Sequence, residues 1–534
     1  MRVLFIYPNL DAEESFNHGI AALSGALKAR GHTTGLIHLN EVFSPVPSPQ
    51  EIVERVRQWG PGLLAFSVMT QQYSYALSLA RVIKASLPRL PLAVGGIHTI
   101  MCTEHVKADG IWDFVGIGEC DQALPELVDR LEHGDPEHIN VRDFCVRRPD
   151  GSYQDNPLGP YPDLSASPPK DYAIFDLPSL LLARNGWQSI MTSRGCPFRC
   201  TYCFNHEVVD RYRKQGGQSP KGYLRHHPIP RVISELKDLK RRYGDQIQTF
   251  IFDDDILTLD ERYCCDLVKA YTGAEIGIPF VLNAHVQAFR EPVARALSES
   301  PCRIVKFGVE SGSYELRKNV LARSMTNQEI IDAFDLCHEY GLQSSAFLMF
   351  GLPYETREMM EETIGLIARL TPGRMRWSIF FPFPGTRSHR ICQDGGLIDE
   401  SKMQAMKNFS SASCLKFSAD TALFVRKLQR TFHWWVNASA GFPLSGEYNK
   451  VTAEIDSLDL DAWEEASETI RARDREISTA YLARINTADP APLNDYRHYS
   501  LRYTEVMAVL SDFVTEEPGD FKNRPVRQWK AFRE

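Results

Sequence analysis

Short apolar runs alternate with amphipathic helical patterns along this 534-residue chain, and this alternation limits the fold more than any other feature. In residues 1–140 the runs read RVLFIYP, TGLIHLN, GLLAFSVM, PLAVGG and DFVGIGE. Runs that are apolar throughout are typical of parallel strands covered by helices on both faces. Residues 1–140 are therefore predicted to form a doubly wound α/β domain with a parallel sheet, Rossmann-like or flavodoxin-like in its number of units.

A second stretch, residues 186–390, contains six further strand–helix units. Its predicted strands are QSIMTSRG, QTFIFDDDI, PFVLNAHV, RIVKFGVES, QSSAFLMFGLP and MRWSIFFPFPGT. One helix is clearly marked, because Thr326 and Glu329 form a capping box at its start and Gly341 ends it. Six units are too many for a small doubly wound domain and too few for an eight-fold barrel. A partial (β/α)6 barrel is therefore predicted, with ligands at the C-terminal ends of its strands.

The remaining segments are less regular. Residues 141–185 are predicted to form a β-hairpin around PDG and then a linker, NPLGPYPDLSASPPKDY, whose prolines exclude a helix or a central strand. Residues 391–534 have a mostly helical pattern and are predicted to form a cap or substrate region. There His433, Trp434 and Trp435 either line a substrate pocket or, as such residues more often do, pack a helix against the barrel.

Composition and charge argue against some partners. The chain is 43% apolar with a formal net charge of −8, whereas binding to nucleic acid needs a basic surface. No apolar run approaches the roughly 20 residues of a membrane helix, and MRVLFIYPNL is too short for a signal peptide. These features predict a cytoplasmic protein without a nucleic-acid partner or a membrane span.

Three of the twelve cysteines, Cys196, Cys200 and Cys203, lie within the short stretch SRGCPFRCTYCFNH. Three thiolates can bind three irons of a cubane cluster and leave the fourth iron open, and an open position on a metal is typical of chemistry rather than of scaffolding. The alternative is a structural zinc site with His206 or a remote cysteine as fourth ligand. That alternative predicts a zinc-bearing α/β binding protein without turnover.

The stretch GCPFRCTYC resembles the cluster loop of radical S-adenosylmethionine (SAM) enzymes. The resemblance implies a 4Fe-4S cluster whose open iron binds SAM, and reductive cleavage of SAM to methionine and a 5′-deoxyadenosyl radical. It places the Tyr202 side chain beside the adenine of SAM. It also implies a flavodoxin- or ferredoxin-type protein as electron donor.

Other motifs match the same family one at a time. KFGVESGS places Glu310 and Ser311 where the family binds the ribose hydroxyls and the amino group of SAM. LMFGLPYET, with Gly351 and Glu355, resembles the motif near the adenine, and FFPFPGT, with Pro384, resembles the motif of the last strand. Each also has a structural explanation, since a strand end can carry a carboxylate, a turn glycine or a proline for local reasons alone.

FDDDILT resembles the second-strand motif of the branch of this family that carries an N-terminal cobalamin domain. Asp254 is taken as the candidate cofactor residue, although the pattern does not choose among it, Asp253 and Asp255. A helix cap or a solvated charge would explain the same aspartates.

Residues 1–140 resemble the cobalamin-binding domain of that branch. Its predicted strand ends carry small side chains and backbone amides that suit a nucleotide tail and a flat corrin ring. These candidate residues are Ser67, Thr70, Gly95, Gly96 and Gly118.

One departure concerns the ligand on the lower face of cobalamin. Cobalamin proteins in which a histidine replaces the lower base carry the motif Asp-x-His-x-x-Gly. This motif is absent from PNLDAEESFNHGIAAL, so His18 is expected to start a helix rather than to bind cobalt. Bound cobalamin is then expected to lack a histidine ligand. Alternatively, the domain is vestigial or binds another ligand, but FMN and dinucleotides are disfavoured because no G-x-G-x-x-G opens a helix.

The resemblance implies a cobalamin-dependent radical SAM enzyme. It favours a C-methyltransferase that uses methylcobalamin and a 5′-deoxyadenosyl radical on an unactivated carbon of a small molecule or natural-product intermediate. Other members of the branch cyclise, contract a ring or oxidise without methyl transfer. The sequence names neither the substrate nor a catalytic side chain.

Overall fold

The computed structural model describes residues 1–12, 14–406, 412–485, 497–501 and 506–510. The chain divides into two compact units that alternate along the sequence. The first unit comprises Met1–Arg199, Cys203–Gln248 and Phe383–Arg387. The second comprises Cys200–Tyr202, Thr249–Pro382 and the described residues from Ser388 onward. Among the described residues, no helix combines the length and the apolar character needed to cross a bilayer.

The first unit contains a seven-stranded sheet, three further short strands, of which two pair with each other, and nine α-helices among its described residues. The sheet strands are β1 (Arg2–Pro8), β2 (Thr33–Leu39), β3 (Leu63–Ser67), β4 (Leu92–Gly95), β5 (Phe114–Gly116), β6 (Phe144–Arg147) and β7 (Tyr153–Asp155). The other strands are β8 (Trp187–Ile190), β9 (Ser193–Arg194) and β10 (Arg225–His226). The helices are α1 (His18–Ala29), α2 (Pro49–Trp59), α3 (Tyr73–Ser86), α4 (Ile97–Met101), α5 (Thr103–Ala108), α6 (Ala123–Glu132), α7 (Leu177–Ala183), α8 (Asn205–Gly216) and α9 (Ile229–Tyr243).

The sheet of the first unit confirms the predicted doubly wound topology. Its strand order is β2-β1-β3-β4-β5-β6-β7, and β1 to β5 pair in parallel in the flavodoxin-like order 2-1-3-4-5. The central runs are buried, since six of the seven residues of β1 and four of the five residues of β3 are buried, whereas β2, at the edge of the sheet, is mostly only half-buried. The predicted hairpin is formed by β6 and β7, which pair antiparallel and extend this same sheet.

The second unit contains seven strands and eleven α-helices among its described residues. The strands are β11 (Thr249–Phe252), β12 (Phe280–Ala284), β13 (Cys302–Glu310), β14 (Gln343–Phe350), β15 (Arg374–Ile379), β16 (Tyr499–Leu501) and β17 (Met507–Leu510). The helices are α10 (Glu261–Gly273), α11 (Glu291–Ser298), α12 (Tyr314–Asn319), α13 (Asn327–Glu339), α14 (Arg357–Leu370), α15 (Arg387–Asp394), α16 (Glu400–Ala405), α17 (Ala419–Ser439), α18 (Ser445–Ser457), α19 (Leu460–Ser467) and α20 (Ile470–Ile485).

All six strands predicted between residues 186 and 390 are present, as β8 and β11 to β15. In the second unit β11 to β15 lie side by side in chain order and pair in parallel, as a partial (β/α) barrel requires. The capping box predicted for α13 is confirmed, because Thr326 and Glu329 exchange hydrogen bonds at its start. The fold class predicted from the sequence is therefore confirmed.

The C-terminal region is mostly helical, as predicted, but it also supplies two strands that the sequence did not reveal. β17 pairs antiparallel with β15, and β16 pairs with β17. These strands have only three and four residues, too few to show an alternating pattern. Their pairing depends on β15, more than 120 residues earlier in the chain, so no local signal announces it.

The three aromatic residues singled out in this region pack α17 rather than line an open pocket. His433 and Trp434 are fully buried, and both contact the carboxylate of Asp474, at 2.6 and 2.9 Å. The ring of His433 also stacks on Trp377 of β15. Trp435 packs edge-on against Phe424. The structural explanation of these residues is therefore the one that the fold supports.

Candidate functional site

The loop that carries Cys196, Cys200 and Cys203 lies between β9 and α8 and has no regular secondary structure. It begins at Gly195, where φ is 98° and a Cβ would lie 2.2 Å from the carbonyl oxygen of Tyr223, so only glycine fits. Cys196 and Cys200 are buried, Cys203 is half-buried, and none of the twelve cysteines is in a disulfide. Three thiols in one short irregular loop are a donor set that suits an iron–sulfur cluster with one open iron.

The fourth ligand required by the zinc alternative is not supplied by His206. Its Nδ1 lies 3.1 Å from the carbonyl oxygen of Cys203, and its Nε2 lies 2.9 Å from the carboxylate of Glu207. Among the described residues, no three His, Cys, Asp or Glu side chains converge as a single metal ion would require. A cubane binds each cysteine through a different iron, so it does not require that convergence. The geometry gives no support to the zinc site.

Tyr202 and Glu310, two residues predicted to bind SAM, lie together in the second unit. The Tyr202 hydroxyl donates to the carboxylate of Glu310 at 2.9 Å. Glu310 ends β13 with φ at 69°, in a left-handed conformation that is unusual for a residue with a side chain, and the register of β13 on β14 shifts beside it. Strained conformations of this kind cluster at binding sites, because the surroundings must hold them in place.

Gly308, two residues earlier on β13, leaves room for the Glu310 carboxylate, since a Cβ at Gly308 would lie 2.5 Å from its Oε1. Burial raises the pKa of Glu310 above its ordinary value, although the positive charge of Arg323 and the hydrogen bond from Tyr202 oppose this shift. A carboxylate accepts hydrogen bonds from both hydroxyl and ammonium groups. The arrangement therefore suits the ribose and amino groups of SAM.

Arg323 is a residue of this site that sequence reasoning missed. It lies in the loop between α12 and α13, it is buried, and it donates to the Sγ of Cys200 at 3.4 Å and to the Tyr202 hydroxyl at 3.3 Å. A third bond, at 2.6 Å, runs to the carbonyl oxygen of Gly308. No motif or periodicity marks this arginine in the sequence, because its partners are more than a dozen to over a hundred residues away.

Ser311 is fully buried, and the structure accounts for it locally. Its hydroxyl accepts a hydrogen bond from the backbone N–H of Ser313 at 3.2 Å and lies 3.4 Å from the hydroxyl of Thr363. A Cβ at the next residue, Gly312, would lie 2.4 Å from the Cα of Thr363. These contacts close the turn after β13 against α14, and they leave a role of Ser311 in SAM binding as a prediction.

Gly351 and Glu355 form a tight turn after β14. Gly351 has φ at 71°, and the Glu355 carboxylate accepts a hydrogen bond from the backbone N–H of Leu352 at 3.0 Å. Burial raises the pKa of Glu355 to about 8. A Cβ at Gly351 would meet Val425 at 3.5 Å and Ile379 and Ser413 at 3.6 Å, and these three residues also line a cavity of about 290 Å³.

The raised pKa of Glu355 predicts a pH-dependent stability. Its native pKa of about 8 lies above the ordinary value of 4.5, so the folded protein keeps a proton that the unfolded chain releases between these pH values. Stability is then lost as the pH rises through this window, by up to about 1.4 kcal/mol per pH unit. Glu355→Gln keeps an oxygen acceptor for Leu352 but cannot ionise.

We therefore expect the melting temperature of the metal-free wild-type protein to fall more between pH 6 and pH 8 than that of Glu355→Gln. Scanning calorimetry at both pH values measures this difference, and the exposed Glu315→Gln should follow the wild type. Parallel pH profiles for the wild type and Glu355→Gln would contradict the buried, protonated carboxyl.

The two other residues predicted for the SAM site are Asp254 and Pro384. Asp254 is fully buried, whereas Asp253 is half-buried and Asp255 is exposed, and the backbone oxygen of Asp254 accepts a hydrogen bond from Asn283 at 2.9 Å. Pro384 belongs to the first unit, where its carbonyl oxygen lies 3.9 Å from the Sγ of Cys102 after α4. Neither placement tests a cofactor contact, and both roles remain predictions.

The residues predicted for cobalamin lie at the C-terminal ends of β3, β4 and β5. Gly96 has φ at 103°, and a Cβ there would lie 2.4 Å from the carbonyl oxygen of Val68, whereas a Cβ at Gly95 would meet no atom within 4 Å. Ser67 accepts a hydrogen bond from Asn17 at 3.2 Å. At Gly118 a Cβ would lie 2.7 Å from the Asp143 carboxylate. Open space at Gly95 beside a glycine-dependent turn suits the approach of a flat ligand.

Two histidines of the first unit also bear on the predicted cobalamin site. His18 begins α1, with Asn17 as its N-cap, as expected for a residue that starts a helix. His98, which sequence reasoning missed, is buried, and its Nδ1 lies 3.2 Å from the hydroxyl of Thr70. Burial lowers the pKa of His98 to about 4, so its ring is neutral at physiological pH.

A network of charged side chains, each at most 18% exposed, lies directly before the cysteine loop and was also missed. Arg194 binds the carboxylate of Asp121 through two bonds, at 2.8 and 2.9 Å, and that of Glu119 at 2.7 Å. Arg225 binds Glu119 at 2.5 Å. Burial would raise the pKa of Glu119, but the two arginines outweigh it and hold this pKa below its ordinary value. The network joins the loop after β5 to the chain just before Cys196.

Comparisons with known proteins agree with both halves of this description. The family model described as the B12 binding domain matches residues 12–128, and that of the radical SAM superfamily matches residues 190–367. A protein named uncharacterized methyltransferase PH0819, from Pyrococcus horikoshii, is 27% identical over 63% of this chain and 70% of its own length. The anaerobic magnesium-protoporphyrin IX monomethyl ester cyclase of Rubrivivax gelatinosus is 25% identical over 72% of this chain and 68% of its own length.

Two solved structures share the fold. OxsB, a cobalamin-dependent SAM radical enzyme solved with aqua-cobalamin and SAM, aligns with a TM-score of 0.65 and 15% identity over 92% of this chain and 74% of its own. TsrM, a radical SAM methyltransferase from Kitasatospora setae solved with cobalamin and a 4Fe-4S cluster, aligns with a TM-score of 0.58 and 17% identity over 73% of this chain and 78% of its own.

By these matches the chain carries a B12-binding domain followed by a radical SAM domain, the order that the sequence motifs predicted. The radical SAM domain implies a 4Fe-4S cluster and SAM as cofactors, and the B12-binding domain implies cobalamin. The three thiols, the carboxylate of Glu310 and the glycine-lined strand ends are groups that fit these three cofactors.

Proposed function

We propose that this enzyme is a C-methyltransferase that uses methylcobalamin and a 5′-deoxyadenosyl radical at an unactivated carbon of a small molecule or natural-product intermediate. The observation that carries the proposal is the presence of a cobalamin-binding domain and a three-cysteine cluster loop in one chain. When bound, the cofactors would supply SAM cleavage and a transferable methyl group, and the protein supplies their orientation. Relatives named as methyltransferases support the choice of methyl transfer.

Each part of the chain has a proposed task. Cys196, Cys200 and Cys203 would hold the cluster. Tyr202 and Glu310 would orient SAM, with the Glu310 carboxylate exchanging its present donor, the Tyr202 hydroxyl, for groups of the ligand. In residues 1–140, the side chains and backbone amides of a second set of residues would hold cobalamin, namely Ser67, Thr70, Gly95, Gly96 and Gly118.

The cavity of about 290 Å³ is proposed to receive the substrate. It lies at the end of β15, where partial barrels bind their ligands, and next to the turn of Gly351. Its volume is at the lower limit of pockets for small molecules. Its walls are mostly apolar, for example Leu415, Phe417 and Val425, so the part of the substrate held there is expected to be apolar as well.

A second candidate is a radical cyclisation or oxidation without methyl transfer. The observation that favours it is the similarity to the Rubrivivax gelatinosus cyclase, which extends over 402 residues, compared with 339 residues for PH0819. Both candidates need a one-electron donor, proposed to be a flavodoxin- or ferredoxin-type protein.

The experiment that separates the candidates does not need the substrate. The protein is loaded anaerobically with cluster and cobalamin, reduced, and incubated with SAM that carries a deuterated methyl group. A methyltransferase is expected to form methylcobalamin three mass units heavier than the unlabelled form, detected by mass spectrometry. Formation of 5′-deoxyadenosine without labelled methylcobalamin would contradict methyl transfer and favour the second candidate, and no cluster at all would contradict both.

A further inference from the structure

The segment Cys200–Tyr202 of the cysteine loop is hydrogen-bonded to the loop that carries Arg323. The backbone N–H of Thr201 donates to the carbonyl oxygen of Leu321 at 3.0 Å, and its hydroxyl donates to that of Val320 at 2.7 Å. Both contacts lie within the second unit. These two hydrogen bonds fix the position of Thr201 relative to Val320 and Leu321, which lie just before Arg323 in its loop. The guanidinium of Arg323 therefore meets the Cys200 side chain in a defined position.

Arg323 is only 8% exposed, and its guanidinium is shared among sulfur and oxygen acceptors. One nitrogen donates to both the Cys200 Sγ and the Tyr202 hydroxyl, and another donates to the carbonyl oxygen of Gly308. Arginine cannot lose its charge in a protein, and a buried charge is costly unless it is paired. Glu310 contributes an opposite charge that acts on Arg323, but the Glu310 carboxylate is bonded to Tyr202 instead.

We propose that Arg323 is a positioning residue that sets the reduction potential of the cluster by donating an N–H and a fixed positive charge to the sulfur of Cys200. The inference rests on the proposed function, because it takes Cys200 as a cluster ligand. It goes beyond that function by assigning a residue outside the cysteine loop to control of the electron-transfer step.

The physical argument concerns the charge that reduction adds. One electron enters the oxidised cluster from the reductant and makes it more negative by one unit, with no proton or leaving group involved. A hydrogen bond to a ligand sulfur and a nearby positive charge both stabilise the reduced form more than the oxidised form. In a buried setting this stabilisation is screened less than at the surface. Removing Arg323 should therefore make the cluster harder to reduce.

The test is a redox titration of the reconstituted protein, without SAM, with dithionite as reductant and the EPR signal of the reduced cluster as readout. Arg323→Gln is expected to lower the equilibrium constant for reduction at least tenfold, which corresponds to about 59 mV for one electron. Arg323→Lys keeps the positive charge but loses the planar guanidinium with its several N–H donors. Its reduction potential is expected to lie between those of Arg323→Gln and the wild type. Arg369→Gln, which removes an exposed arginine paired with Asp335, is the control and should titrate like the wild type.

The outcome that overturns the proposal is an Arg323→Gln protein with wild-type iron and sulfide content and an unchanged potential. If Arg323→Gln takes up no iron, Arg323→Lys decides, and an unchanged potential in that variant overturns the proposal in the same way. Iron and sulfide analysis of the wild type distinguishes a failure of the proposed function from a failure of the role proposed for Arg323. A wild type without a cluster contradicts the proposed function, whereas a normal cluster with no shift in the variants contradicts only the role of Arg323.

Discussion

Cys200→Ala is expected to abolish both the 4Fe-4S cluster and the reductive cleavage of SAM. Three thiolates are the whole proposed ligand set, and the neighbouring histidine, His206, has both ring nitrogens engaged elsewhere. The loss of one thiolate therefore leaves an iron without a protein ligand. Iron and sulfide content, the visible absorption of the cluster, and the yield of 5′-deoxyadenosine under reducing conditions measure the effect.

The matched control is Cys302→Ala. Cys302 is also a buried thiol, at the start of β13, and it lies outside the cysteine loop. Its replacement should leave a small cavity and a normal cluster. A Cys200→Ala protein that cleaves SAM after anaerobic reconstitution would contradict the three-cysteine site, as would equal losses of iron in both variants.

Arg194→Met is expected to destabilise the first unit strongly. Removing this arginine leaves Asp121 without its partner in a site where its side chain is only 10% exposed, and Glu119 keeps only Arg225. Breaking a buried ion pair on one side costs about 3–5 kcal/mol, because the other charge remains buried without compensation. Thermal or urea unfolding of the cluster-free protein measures the loss.

Arg30→Met provides the comparison for Arg194→Met. Arg30 pairs with Asp129 at 2.7 Å, but both side chains are exposed, so its removal should cost no more than about 1 kcal/mol. Because Arg194 lies two residues before Cys196, the cluster content of Arg194→Met should fall as well. Equal stabilities of the two variants would show that the Glu119–Asp121–Arg194–Arg225 network contributes nothing beyond an ordinary surface pair.

The features that could be predicted from the sequence are those encoded by neighbouring residues. The strands β1 to β5 and β11 to β15 follow from apolar runs, and the start of α13 follows from Thr326 and Glu329. The cysteine loop is equally local, since its three thiols lie within eight residues. Burial of a strand or the ligand set of a loop is decided by side chains close together in the chain, so the pattern alone predicts them.

The features that could not be predicted depend on pairs distant in the chain. Arg323 meets Cys200 across 123 residues, and Arg194 meets Glu119 across 75 residues. The strands β16 and β17 likewise exist as part of the sheet only because β15 supplies their partner. No spacing rule connects such residues, because the sequence distance between them reflects the helices and loops inserted in between.

The sequence by itself determined the class of chemistry and the two α/β halves of this protein. Thiolate ligands and hydrophobic periodicity are properties of short segments, and they keep their meaning before the chain is folded. Only the tertiary structure decided the electrostatic environment of the site: the arginine at the Cys200 sulfur, the raised pKa of Glu355 and the charge network before Cys196. Burial and proximity set these properties, because the strength of a charge interaction depends on distance and on the exclusion of water, which exist only once the chain is folded.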